Sequence, residues 1–93
     1  MVETVDEHIG RRLLRRRRAL GLTQGQLAVS IGVRFQQIQK YECALNKISA
    51  SRLWRLAEAL EVPVTYFFEG FSARRQPAET EMHLVRQTAK HGI

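Results

Sequence analysis

Residues 20–42, LGLTQGQLAVSIGVRFQQIQKYE, read as two short helices joined by one tight turn. Thr23 stands as an N-cap with Gln26 three residues on, the spacing of a capping box, and Leu22 and Leu27 occupy the hydrophobic staple positions around it. A helix therefore starts at Gln24. Leu27, Ala28 and Ile31 share one face, and Gly32 supplies the left-handed residue that ends the helix. Only Val33 and Arg34 precede the next helix, on which Ile38 and Tyr41 fall to one side and Gln36, Gln39 and Lys40 to the other. That outer side carries long amides, a cation and no carboxylate. Such side chains form paired hydrogen bonds with base edges in a DNA major groove, which admits a helix. They are also ordinary solvated helix residues, and spacing alone does not choose between the two.

The charge around this stretch narrows the choice. The 93-residue chain, long enough for one small domain and a tail, has a formal net charge of +6. Its distribution is uneven: residues 11–55 contain eleven Arg or Lys and a single acid, Glu42. A field of one sign over half the chain attracts polyanions, whereas a merely solubilising surface intersperses both signs. A membrane reading fails, because no apolar run approaches the roughly 20 residues needed to span one. The N-terminal MVETVDEH lacks a signal-peptide pattern, and the single cysteine, Cys43, has no internal partner; both suit a cytoplasmic protein. Cys43 is read as an inert small residue, although its oxidation would disturb the neighbouring helix face.

Upstream, residues 4–20 form a first helix starting near Thr4 or Asp6, with Ile9, Leu13 and Leu20 as its apolar stripe. Arg11, Arg15 and Arg18 point away from that stripe, while Arg16 and Arg17 flank it. Downstream, Ser49 starts a helix whose Leu53, Leu56, Ala57 and Leu60 recur at helical spacing, with Trp54 beside them assigned to the core. Pro63 is expected to stop this helix and lead into a short last one, Val64 to Phe68, closed by Gly70. Its three adjacent aromatics cannot all face inward, and the surplus predicts a surface patch. Residues 71–77 read as a linker, followed by Met82, Val85 and Ala89 at the spacing of a short amphipathic helix. The expected organisation is one domain over 1–70 and a linker and tail over 71–93. The expected dimer interface joins Tyr66, Phe67, Phe68 and Phe71 to Met82 and Val85.

Thr23-Gln24, Leu27-Ala28, Gly32-Val33, Ile38, Tyr41-Glu42 and the later run Leu56 to Val62 resemble the Cro/C1-type helix-turn-helix family, the lambda-repressor-like DNA-binding domains. The resemblance covers roughly residues 8–69, with capping, turn and core positions agreeing in one register. It implies an all-α, five-helix domain with a candidate short C-terminal helix. It also implies a homodimeric transcriptional regulator, most simply a repressor, that places its third helix in the major groove of double-stranded DNA. Two such domains engage half-sites about 34 Å apart. The resemblance pairs Arg17 with Glu42 in a structural ion pair, and the helical wheel agrees, since Glu42 lies near the Ile38 side.

Arg34, Phe35, Gln36, Gln39 and Lys40 are the expected base contacts, Phe35 with a core-flanking role as its alternative. Gln24, Gln37, Asn46 and Lys47 are the expected phosphate contacts; Gln24 opens a helix whose free N–H groups and dipole favour an anion. Two departures from the family pattern stand out: Arg34 replaces the usual Ser or Thr cap, and Ala44 stands where a glycine is usual.

The chain offers no spacing for nucleophilic catalysis. His8, His83 and His91 are too scattered for a metal site, so neither an enzyme nor a cofactor is expected. Two other functional classes compete with the regulator reading. One is an antitoxin that binds both DNA and a protein toxin; the other is an interaction module that kept the fold without DNA readout.

Overall fold

Three of the four α-helices of the computed structural model, which describes residues 3–71, begin at a residue whose side chain accepts from a free N–H group. Helix α1, Val5–Ala19, starts at Thr4, whose side chain accepts from the Glu7 N–H while the Glu7 carboxylate accepts from the Thr4 N–H. Helix α2, Gln24–Ile31, repeats this reciprocal cap with Thr23 and Gln26, and Gly32 ends it at φ 74°. Helix α3, Phe35–Glu42, follows after two residues, and helix α4, Ala50–Leu60, is capped by Ser49. All four agree with the sequence reading to within a residue or two.

The core forms where the four apolar faces meet. Leu13 from α1, Leu27 from α2, Ile38 from α3, and Leu56 and Leu60 from α4 are fully buried, with Phe67 filling the end of the bundle. Leu22 and Val33, at the two ends of α2, pack against the same cluster.

Several expectations are corrected. Leu20 is not part of the α1 stripe; it is the C-cap residue and 38% exposed. Trp54 is not in the core but 61% exposed, because the buried face of α4 is fully occupied by Leu53, Leu56, Ala57 and Leu60. Glu61, at φ 58°, closes α4 before Pro63 is reached, while Pro63 leads into the final element as expected. That element, Val64–Phe68, is a 3-10 helix in place of the expected fifth α-helix. Phe67, assigned to the dimer patch, is completely buried in the chain's own core and offers nothing to a partner. Met82, Val85 and the proposed C-terminal helix lie outside the described residues.

The arginine run of α1 is mostly structural. Arg12 donates from Nε to the Tyr66 carbonyl (3.0 Å), pairs through Nη2 with Glu69 (3.0 Å) and lies 3.8 Å over the Tyr66 ring. Arg16 donates to the Leu60 carbonyl at the C-terminus of α4, where unpaired acceptors favour a cation. Arg11 holds Glu3 by two bonds, leaving Arg15 and Arg18 exposed with no acidic partner among the described residues. His8 is buried: Nε2 lies 2.7 Å from the Glu69 carbonyl, and its ring meets Phe71 edge-on.

Candidate nucleic-acid interface

The face of α3 is set by what its other side buries. Ile38 is inaccessible and Tyr41 is 7% exposed, so the helix is fixed in rotation with Gln36, Gln39 and Lys40 exposed. Gln37, an expected phosphate contact, is half-buried at the edge. Phe35 is half exposed, which leaves both of its readings standing. Arg34 occupies the N-cap position and makes no capping bond, since a guanidinium has no acceptor to offer the free N–H groups of α3.

The single acid of the basic stretch is withdrawn from this surface. Glu42 receives Arg17 Nε at 2.6 Å and Nη2 at 3.1 Å on its two oxygens, and Gln24 Nε2 at 2.9 Å. Arg17 Nη1 also donates to the Leu22 carbonyl at 2.8 Å, so one cluster ties α1, α2 and α3 together. The Glu42 side chain is only 4% exposed. The outer face of α3 therefore presents amides and an ammonium without a competing negative charge.

Gln24 is placed differently from the simple expectation. Its amide nitrogen serves Glu42, so the side chain is a structural partner of the ion pair first. The anion-favouring feature beside it is backbone: after capping, the N–H groups of Gln24 and Gly25 find no acceptor among the described residues. The loop after α3 brings Asn46 and Lys47 to the surface. Ala44 adopts φ 59° there, so alanine takes the left-handed conformation usually given to glycine, and its N–H bonds to the Tyr41 carbonyl.

One residue of the site escaped the sequence reading. Gly10 of α1 lies against the C-terminal backbone of α3, where a Cβ would stand 2.6 Å from the Tyr41 carbonyl oxygen and 2.7 Å from that of Glu42. A glycine mid-helix, at a position where it is normally unfavourable, was the available signal.

A short two-helix unit, a tight glycine turn and an exposed second helix locked by its neighbours define a helix-turn-helix domain. The chain belongs to the helix-turn-helix family HTH_3, whose model matches residues 13–67. It is similar, at 58% identity over 67 residues, to a Rhodospirillum rubrum protein described as an uncharacterized transcriptional regulator in the ATPase CF(0) region. That match covers 72% of this chain and 62% of the relative, so the chain spans less than two thirds of its length. Among solved structures, the restriction-modification controller protein C.AhdI from Aeromonas hydrophila superposes with a TM-score of 0.64 at 29% identity. The match covers 67% of this chain and 90% of that one. The P22 c2 repressor, solved with a synthetic operator, gives 0.62 at 27% identity over 67% of this chain and 94% of its own.

Proposed function

We propose that this chain is a sequence-specific DNA-binding transcriptional regulator, most simply a repressor, acting in the cytoplasm as a homodimer with α3 in the major groove. The observation that carries the reading is the carboxylate-free outer face of α3, made so by the burial of Glu42 against Arg17. Gln36, Gln39, Lys40 and Arg34 read base edges, and Phe35 meets a thymine methyl. Gln37, Asn46 and Lys47, together with the free N–H groups at Gln24, hold phosphates and set the register. Residues 1–70 form the reading domain and 71–93 its linker and tail. The names of the relatives and the operator-bound neighbour support the same reading.

Selection of bound duplexes from a random pool, repeated at two salt concentrations, tests it. The expected product is a pair of related half-sites with centres about one helical turn, roughly 34 Å, apart. Its affinity should fall steeply with salt, as phosphate neutralisation requires. Failure to enrich any sequence at either salt concentration would overturn the proposal.

A further inference from the structure

The outer face of α4 has no role in the site described above, yet it carries a large apolar side chain and an unusual order of charge. Trp54 is 61% exposed and forms one wall of a groove completed by Ala57, Glu58, Val62, Pro63 and Val64. A projecting ring beside an apolar groove is a self-complementary pair of shapes.

The charges point to the same occupant. On the side of α4 that carries Trp54, Arg55 comes first and Glu58 and Glu61 come last. This is the reverse of what the helix dipole favours, which is acid at the N-terminus and base at the C-terminus. Arg55, Glu58 and Glu61 also lack ion-pair partners among the described residues. A surface that is basic at one end and acidic at the other matches itself when a second copy is laid antiparallel, as a two-fold axis requires.

We propose that this face is the seam between two copies of the chain. The two α4 helices pair antiparallel, each Trp54 enters the groove of the other copy, and Arg55 of each faces Glu58 of the other. The proposal rests on the homodimer reading above and gives it a location. The Tyr66 to Phe71 patch is a poorer seam: Phe67 is buried, Arg12 covers Tyr66, and Phe71 packs on His8.

Trp54 is the only tryptophan of the chain, so its emission reports on this face alone. The test uses the full chain without DNA, following emission and sedimentation equilibrium over a dilution series reaching about 100 μM. Emission should shift to the blue as concentration rises, with the same midpoint as dimer formation. Trp54→Ala should weaken dimerisation at least about tenfold while preserving the helical circular dichroism spectrum. Arg55→Glu and Glu58→Arg should each weaken it, and the double exchange should restore it.

A chain that stays monomeric overturns the proposal. So does emission that is already blue-shifted in the monomer and independent of concentration, which would mean that the chain's own remaining residues cover Trp54. A double exchange no better than the single ones also overturns it. Titration of a single half-site duplex separates the two ideas: Trp54→Ala should bind it as the wild-type chain does, whereas a wild-type chain that dimerises through this face yet binds no duplex counts against the DNA reading alone.

Discussion

Arg17 and Glu42 stand 25 residues apart in sequence and meet in a two-pronged ion pair, 2.6 and 3.1 Å long, with Arg17 only 8% exposed. Removing one partner strands the other charge out of water. Glu42→Ala is expected to cost about 3 to 5 kcal/mol, whereas replacing both residues with apolar side chains of similar volume should cost much less. Thermal unfolding of the two variants checks this; an unchanged melting curve for Glu42→Ala would refute it.

Gly10 fixes how closely α1 approaches the end of α3. Because the atoms facing its Cα are backbone carbonyls, an added methyl group cannot be accommodated by a side chain swinging aside. Gly10→Ala should destabilise the fold by about 1 to 3 kcal/mol, the usual range for overpacking. Measured well below the melting temperature, it should also reduce the ratio of specific to non-specific DNA affinity if α3 reads DNA as proposed, since α3 is displaced.

Ala44 holds a conformation that costs an L-residue roughly 1 to 2 kcal/mol. Ala44→Gly should therefore stabilise the domain by about 1 kcal/mol, offset in part by the freer unfolded chain. For a domain of this size that is a rise of about 4 to 8 °C in Tm. Calorimetry showing a lower Tm would mean that the turn is held by something other than its backbone dihedral.

Gln36→Ala or Lys40→Ala should cost about 1 to 3 kcal/mol on the cognate duplex and relax the choice of one base pair, with no change in stability. Gln24→Ala should behave differently: it removes a hydrogen bond from Glu42 and should lower Tm, while the backbone N–H groups proposed to hold a phosphate stay in place. Equal losses of specific and non-specific affinity for Gln36→Ala would end its assignment as a base reader.

Glu3 has its carboxyl lowered from the ordinary 4.5 to about 2, chiefly by its hydrogen bond with Arg11 and next by that with His8. A carboxyl lowered on folding stabilises the folded state fully above its unfolded value and loses that contribution as pH falls through the folded one. The tether between the N-terminus and α1 should therefore persist at pH 4.5 and be lost as pH approaches about 2. Carboxyl chemical shifts across that window check it; a Glu3 midpoint near 4.5 would contradict the pairing.

What the sequence determined was everything carried by residues within a turn or so of each other. Thr23 with Gln26, the Gly32 turn and the spacing of Leu27, Ile31, Ile38 and Tyr41 placed the helix pair and its exposed face, because capping, dihedral preference and helical period are local. The tertiary structure decided what depends on a distant neighbour. Trp54 is outside because α4 needs only four residues to fill its buried face, and Gln24 serves Glu42 because α3 ends beside it. Gly10 is required only because a carbonyl from the far end of α3 lies over it. A helical wheel assigns each side chain a direction; what waits in that direction is set by contacts across 25 to 61 residues, as in Arg17 with Glu42 and His8 with Glu69.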